Sequence, residues 1–243
     1  MTIPPIGPPV APRMARLWFE WLIIYAAGPV LILITRKPGA LFFLLWLGAL
    51  IGARASRVVS GPPDLRTILR RVALFAPFKI GLVLMAVTAL KTAADDQRHA
   101  ELRSIIRRFV LYGLLLAFAS RLLSPSHFLD LPRHRPILWL AIMLLYPLLS
   151  VWPQEMIYRQ LLFRRYGALF SDRWSVILAS AIAFGFAHII FRNPVAVLLT
   201  LIGGLLFAHS YDRHRSLGLV WFEHSLYGCL IFTIGLGRFF FRA

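Results

Sequence analysis

The sequence has few acidic residues and a single cysteine. It contains ten Asp and Glu residues against 27 Lys and Arg residues, and its one cysteine is Cys229. No intrachain disulfide can form, and the place of Cys229 inside an apolar run indicates a core thiol rather than a reactive one. Because acidic residues are scarce, each carboxylate in or beside an apolar run becomes a candidate functional group.

The excess of basic residues does not indicate a nucleic-acid partner. A formal charge of +17 would suggest one in a soluble chain. Here the arginines lie in short connections between apolar runs, where anionic lipid headgroups are the nearest partners. The sequence also lacks an aromatic-rich soluble module that binds nucleic acid and an internal repeat typical of many transporters. We therefore expect membrane lipids as partners, and no nucleic acid.

The sequence does contain long apolar runs. Hydrophobic residues make up 59% of the chain, and the mean hydropathy is +0.72, well above the range of soluble domains. A helix needs about 20 residues to cross a bilayer. Eight runs approach that length: 17–35, 39–54, 72–91, 109–123, 137–153, 174–191, 194–210 and 217–236. They predict an all-α, polytopic protein with about eight transmembrane helices, integral to a membrane that we expect to be a cell membrane.

We expect one membrane domain with three parts. Residues 1–16 form a Pro-rich N-terminal segment, and residues 17–136 hold the N-terminal transmembrane helices and loops. Residues 137–243 hold the C-terminal helices, where the polar breaks shorten and ionisable residues enter the apolar runs. We therefore expect a polar intramembrane pocket in this C-terminal half.

Ionisable residues within membrane spans are costly, so they tend to face the bundle interior and to serve function. Three of them, Glu20, Lys79 and His209, lie near the ends of their runs, where contact with the membrane interface explains them. The others lie in three successive C-terminal segments: Glu155, Arg159, His188, Glu223 and His224.

Glu155 and Arg159 follow Pro153, a residue that can begin or kink a helix. Four residues apart, their side chains share one helix face and form a favourable ion pair. One interpretation is that they only neutralise each other within lipid. The other is that they belong to a site, and Tyr158 on the same turn is compatible with both.

A carboxylate and two histidines held together would suit hydrolysis. A Glu paired with a His can activate water, and a second His can stabilise the oxyanion that forms when this water attacks a carbonyl. The same residue types also form hydrolytic zinc sites, although no two candidate ligands have the close i, i+4 spacing of a zinc-binding helix. A proton-coupled transporter that uses Glu155 and His188 as a relay is a third interpretation.

Three motifs in this half resemble those of a known family. They are QEMIYR (Gln154 to Arg159), FGFAH (Phe184 to His188) and HSLYG (His224 to Gly228). In this order they resemble the CAAX protease and bacteriocin-processing family of intramembrane glutamic endopeptidases, which includes the Ras-converting CAAX endopeptidases. The family pattern is Glu-Glu-x-x-x-Arg, Phe-x-x-x-His and His-x-x-x-Asn or Asp, each on a separate transmembrane helix. The resemblance covers about residues 137–236.

The resemblance implies a set of site residues. Water would be activated by Glu155 and His188, the oxyanion would be stabilised by His224, and Arg159 would order the carboxylate. The auxiliary residues would be Gln154, Tyr158, Phe184, Glu223 and Gly228.

Two positions depart from the family pattern. Gln154 stands in place of the first Glu, which usually activates water, and a glutamine amide cannot act as a general base. That duty would either pass to Glu155, about 100° around the helix, or be lost. Gly228 stands in place of the Asn that assists the second His, which leaves backbone N–H groups or the Tyr227 phenol as oxyanion donors. Glu223 is an extra carboxylate that could orient a histidine or serve as a second acid.

The sequence thus predicts an intramembrane endopeptidase that hydrolyses a peptide bond in a membrane-anchored protein or peptide without a cofactor. A divalent metal such as zinc is the alternative cofactor. The alternative function is a catalytically silent relative that acts as an immunity or membrane-partner protein. An enzyme requires Glu155, His188 and His224 to converge to within about 8 Å, whereas a binding protein does not.

Overall fold

The computed structural model describes residues 11–35, 45–50 and 96–240, and these residues form helices and turns without a strand. The helices are α1 (Ala11–Leu22), α2 (Gly28–Thr35), α3 (Asp96–Leu123), α4 (Asp130–His134), α5 (Pro136–Tyr146), α6 (Trp152–Glu155), α7 (Arg173–Ala187), α8 (Pro194–His214) and α9 (Leu217–Thr233). Residues 45–50 are also helical. The predicted all-α fold is confirmed for the described part of the chain.

Four helices are long and apolar enough to cross a membrane: Met14–Thr35, Pro136–Leu169, Arg173–Phe191 and Pro194–His214. Ala100–Leu123 and Pro125–His134 would add a fifth span if this pair, bent by 115°, counts as one. α9 is apolar but shorter. The described residues therefore carry four or five candidate spans, and the predicted number of eight is not confirmed. The predicted span 72–91 lies outside the described residues, as does most of 39–54.

The outward faces of these helices are apolar. Large hydrophobic side chains are exposed along α1, α3, α7 and α8, among them Phe19, Leu114, Ile182 and Ile202. Soluble monomers rarely expose apolar surface on this scale. Together with the lengths of the apolar helices, this surface identifies the chain as a membrane protein.

The central element is one helix, Pro136–Leu169, which we call the long helix. It contains α5 and α6 and winds as a π-helix on either side of α6, at Pro147–Val151 and Met156–Tyr166. Pro153, which we expected to begin or kink a helix, lies in the first turn of α6 within the long helix.

An indole group binds the carbonyl that Pro153 leaves without its usual helical partner. Pro153 has no N–H to give to the carbonyl of Leu149, four residues earlier. That carbonyl accepts a hydrogen bond from Trp46 Nε1 at 3.1 Å. Trp221 Nε1 of α9 donates to the carbonyl of Pro147 at 2.6 Å, in addition to the helical hydrogen bond that this carbonyl accepts from Trp152. The bond from Trp46 explains how the helix can continue through Pro153.

Two hydroxyl groups bind the π-helical segment Met156–Tyr166 in the same way. Tyr25 donates to the carbonyl of Ile157 at 2.8 Å, and Ser180 of α7 donates to the carbonyl of Tyr158 at 2.7 Å. Within a bilayer each backbone polar group needs a partner inside the protein. The long helix is therefore fixed in rotation beside α7 and the Met14–Thr35 span.

Small residues let α7 and α8 pack closely. A Cβ atom at Gly204 would lie 3.1 Å from the backbone of Ala181, and one at Gly185 would lie 2.4 Å from the Leu201 side chain. Close approach through small residues is typical of helices in membranes. This contact places Phe184 of α7 and Phe207 of α8 on the same buried cluster.

Polar caps begin α7 and α8. Asp172 accepts hydrogen bonds from the backbone N–H groups of Trp174 and Ser175, and Asn193 caps α8 by accepting from Val195 at 2.9 Å. The hydrogen bonds from Ser175 are the main cause that lowers the pKa of the Asp172 carboxyl, just before the Arg173–Phe191 span.

Candidate functional site

Glu155 lies at the end of α6 and is completely buried. Its Oε1 atom is 2.7 Å from Nδ1 of His224 on α9, and its Oε2 atom is 3.2 Å from Nε of Arg159, one helical turn later. The ion pair predicted from the spacing of Glu155 and Arg159 is confirmed. The carboxylate thus joins the first motif to the third.

Arg159 is also completely buried. Its guanidinium carbon lies 4.6 Å from the centre of the Phe184 ring and 5.7 Å from that of Phe207. The pairing with Glu155 and the two ring faces compensate this buried charge. Among the described residues, none of its three guanidinium nitrogens has a partner with ordinary hydrogen-bond geometry, and the same holds for Glu155 Oε2. Donors and an acceptor therefore remain at this place for a water molecule or a peptide group.

Phe184 stands at the centre of the three motifs. Its ring is buried and lies 4.7 Å from the His188 ring, 5.4 Å from the His224 ring and 5.3 Å from the Tyr158 ring, measured between centroids. The structure therefore brings His188 beside the Glu155–His224 pair, with the Phe184 ring in contact with both histidines.

His188 begins the 3₁₀ turn that follows α7. Its Nδ1 atom lies 2.7 Å from the carbonyl of Phe184, one turn earlier. A carbonyl can only accept, so Nδ1 carries the proton in the neutral ring and Nε2 keeps its lone pair. His188 also interacts electrostatically with His224 and Arg159. It has the chemistry of a positioned base.

His224 lies between a carboxylate and a phenol. Because Glu155 binds at Nδ1, this nitrogen carries a proton and Nε2 points the other way, with the Tyr146 hydroxyl oxygen 3.5 Å from it. The ring is stacked on Phe207, with centroids 4.6 Å apart. These contacts fix the orientation of the imidazole within α9.

Gln154 and Gly228, which depart from the family pattern, differ in their surroundings. The Gln154 side chain donates to Ser150 on its own helix at 2.8 Å, away from the carboxylate of Glu155. Gly228 lies one turn after His224, where a Cβ atom would meet the ring of Tyr146. The space at position 228 is thus taken by a side chain from α5.

Glu223 lies in a second polar cluster rather than at the histidines. Its buried carboxylate pairs with Arg108 of α3 at 3.0 Å, while His224 has its carboxylate contact with Glu155. The Tyr227 hydroxyl interacts electrostatically with Glu223 and Arg108. Glu223 therefore pairs with Arg108 rather than with a histidine, and the Tyr227 hydroxyl has no hydrogen-bond partner among the described residues.

Sequence reasoning missed two residues in these clusters. Arg108 ends a charge-rich break and gave no sign of a partner 115 residues later. Tyr146 is the polar-tipped residue that ends the apolar stretch ILWLAIMLLY. A phenol within an apolar run usually binds a partner through its hydroxyl when buried, and this was the signal available for it.

The predicted polar pocket is not confirmed: Glu155, Arg159 and His224 form a buried cluster of polar side chains. Two open cavities, of about 380 and 490 Å³, lie elsewhere. The first lies beside Asp172 and Asp212, and the second lies beside Arg103 and Arg107 of α3. Within residues 11–35, 45–50 and 96–240, no group of three or more His, Cys, Asp or Glu side chains is arranged to hold a metal ion.

Comparison with known proteins places these motifs in a family. Residues 136–230 match the Rce1-like family model, described as type II CAAX prenyl endopeptidase Rce1-like. No curated protein and no solved structure matches the chain. The matched residues include all three motifs, from Gln154 to Gly228. The resemblance to the CAAX protease and bacteriocin-processing family is thereby confirmed for residues 136–230, which are similar to the Rce1-like family model.

Proposed function

We propose that the chain is an intramembrane endopeptidase that hydrolyses a peptide bond in a membrane-anchored protein or peptide. The observation that carries the proposal is the contact between the motifs: Glu155 binds His224 at 2.7 Å, and His188 lies across one phenyl ring from them. Catalysis requires such convergence, whereas a catalytically silent partner protein does not. The convergence therefore favours the enzyme over that alternative.

In the proposed reaction, Glu155 and His188 activate one water molecule. Glu155 Oε2 has no ordinary hydrogen-bond partner among the described residues and can accept a hydrogen bond from this water. His188 keeps a lone pair on Nε2 because its Nδ1–H donates to Phe184. As the water oxygen bonds to the scissile carbonyl carbon, its proton passes to His188 Nε2.

The carbonyl oxygen then becomes an oxyanion, which His224 stabilises from Nε2 when that nitrogen carries a proton. The carboxylate of Glu155 at Nδ1 favours that protonation, and Arg159 holds the carboxylate in place. When the C–N bond breaks, the leaving nitrogen takes the proton from His188. The products are a carboxylic acid and an amine, and in this proposal no metal ion takes part.

The substrate class follows from the family and from the surface of the protein. The matched family is described by prenyl endopeptidase activity, and the site lies among apolar helices that face lipid. We propose that the substrate is held in the membrane by a lipid or a transmembrane segment. We also propose that this chain is a multi-pass protein of a cell membrane. A farnesylated CAAX peptide is the first substrate to test.

The proposal is tested by comparing the neighbouring variants Glu155→Gln and Gln154→Ala in proteoliposomes. Cleavage of a farnesylated, internally quenched CAAX peptide should fall at least 10³-fold in Glu155→Gln, on the order of the loss seen when members of a catalytic group are removed. Gln154→Ala should keep a measurable rate, since Gln154 is bound on its own helix. Both rates are measured at a temperature where each variant remains folded. The opposite order would return the role of the base to position 154.

A further inference from the structure

Glu155 binds His224 at Nδ1, and the Tyr146 hydroxyl lies beside the other ring nitrogen, Nε2. We infer that Tyr146 is a further catalytic residue of the proposed peptidase, whose phenol donates a hydrogen bond to the oxyanion beside His224 Nε2. This inference rests on the proposed function. It assigns a role to a residue outside the three motifs.

The distance between the Tyr146 phenol and the His224 imidazole leaves room for both to bind one oxygen atom, the oxyanion of the proposed reaction. The Tyr146 oxygen is 3.5 Å from His224 Nε2, whereas hydrogen bonds with a hydroxyl donor are commonly about 2.7–2.8 Å long. The two groups are thus too far apart for a strong mutual bond. An oxygen atom placed beside both could lie at ordinary hydrogen-bond distance from each.

The hydrogen bond at the other side of His224 makes a second donor necessary. Glu155 accepts from Nδ1, so in the neutral ring Nε2 carries a lone pair and would repel an oxyanion. A phenol donates in its ordinary neutral state. Tyr146 would therefore stabilise the oxyanion whether or not His224 has gained its second proton.

The absence of a side chain at Gly228 makes room for the Tyr146 phenol. A Cβ atom at position 228 would lie 2.3 Å from Tyr146 Cε1 and 2.8 Å from its hydroxyl oxygen, which is closer than such atoms approach without a shift. Tyr146 thus occupies the space that a larger side chain at 228 would need. The Tyr146 ring also packs on Phe232, one turn later on α9, with centroids 5.1 Å apart, so α9 holds the ring at two successive positions.

The other candidate donors on α9 point elsewhere. The Tyr227 ring packs on Phe109 of α3, with centroids 5.2 Å apart, and its hydroxyl lies near Glu223 and Arg108 rather than at His224 Nε2. The backbone N–H of Gly228 lies in the middle of α9, where such groups bind the carbonyl four residues earlier. The Tyr146 phenol is the described hydroxyl that lies against His224 Nε2.

The test measures kcat and KM for Tyr146→Phe with the farnesylated CAAX peptide in proteoliposomes. Loss of one oxyanion donor should lower kcat by about 10²-fold, with KM changed by less than about threefold, because the hydrogen bond forms only in the transition state. The matched control is Tyr112→Phe, which removes a hydroxyl from an exposed tyrosine of α3 and should leave both constants unchanged.

A second pair of variants tests whether the Tyr146 phenol fills the place of a side-chain donor at position 228. Gly228→Asn alone should lose activity, because its Cβ displaces the Tyr146 ring. Tyr146→Ala combined with Gly228→Asn should recover at least tenfold over Tyr146→Ala, because the carboxamide can donate from the vacated space.

Four results would overturn the inference. One is a Tyr146→Phe protein with the kcat of the wild type, and another is a loss confined to KM. A third is a double variant no more active than Tyr146→Ala. In all three the wild type still cleaves the peptide, and the proposed function stands. A wild-type protein that cleaves no membrane-anchored peptide overturns the proposed function and this inference together.

Discussion

Arg159 is a completely buried cation whose compensation comes from one carboxylate and two aromatic rings. Removing one partner of a buried ion pair leaves the other charge without compensation, which is more damaging than replacing both partners together. The pair of Glu155 and Arg159 therefore serves stability as well as the proposed chemistry. The two contributions can be separated by experiment.

We expect Glu155→Gln to lower the free energy of unfolding by about 3–5 kcal/mol, since the Arg159 charge loses its anion. Adding Arg159→Met should restore most of this loss, because both charges are then absent and the volume is similar. Neither variant should cleave peptide. The midpoint of thermal unfolding in detergent is the measurement, and a double variant no more stable than Glu155→Gln would contradict the account.

The neighbours Gln154 and Glu155 point in different directions from the same helix and therefore have different partners. The Gln154 amide is bound to Ser150 on its own helix, whereas the Glu155 carboxylate reaches across to α9. Successive residues on a helix point about 100° apart. The long helix is turned so that position 155 faces the histidines, and this rotation is a property of the whole element.

At the scale of elements, hydrogen bonds from other helices fix the rotation of the long helix. The Ser180 hydroxyl donates to the carbonyl of Tyr158. Tyr158 lies between Glu155 and Arg159, within the π-helical segment Met156–Tyr166. This contact comes from α7, which also carries Phe184. α7 therefore positions the first motif while contributing the second.

Ser180→Ala should destabilise the protein by about 1–3 kcal/mol, the cost of a buried polar group that loses its partner. It should also lower the cleavage rate, because Glu155 is no longer held in register. The matched control is Ser225→Ala on α9, whose hydroxyl binds the carbonyl of Trp221 one turn earlier. That hydrogen bond stays within one helix and joins no second helix, so this change should cost less. Equal unfolding midpoints for the two variants would exclude the proposed role of Ser180.

Local sequence predicted those parts of the structure that depend on spacing along one helix. The Glu155–Arg159 pair follows from the i, i+4 rule and is present. The behaviour of Pro153 could not be predicted in this way, because the indole that binds the freed Leu149 carbonyl comes from Trp46, 103 residues away. The helix continues through Pro153 with this tertiary contact.

The sequence predicted which motif residues form the candidate site, but not the contacts that depend on how the helices pack. The resemblance named Glu155, His188 and His224 together, and the structure places them around Phe184. The Tyr146 phenol could not be foreseen, since its approach to His224 depends on how α5 crosses α9 at Gly228. The partner of Glu223 was likewise set by the packing of α3 against α9.

At the scale of the whole molecule, apolar helices surround a cluster of completely buried polar groups. The described spans present hydrophobic side chains outward, while Glu155, Arg159 and Glu223 are fully buried within. Such groups are expensive inside a membrane protein and tend to mark functional positions. In this chain the buried groups lie within the segment that matches a protease family.

The central claim is that this chain hydrolyses a peptide bond at these residues without a metal ion. The most direct measurement is mass spectrometry of a farnesylated CAAX peptide incubated with the purified protein in proteoliposomes, in oxygen-18 water and after prolonged treatment with a strong chelator. We predict two fragments, with one oxygen-18 atom in the new carboxylate. An intact peptide, or cleavage that stops with the chelator and returns only on addition of zinc, would contradict the claim.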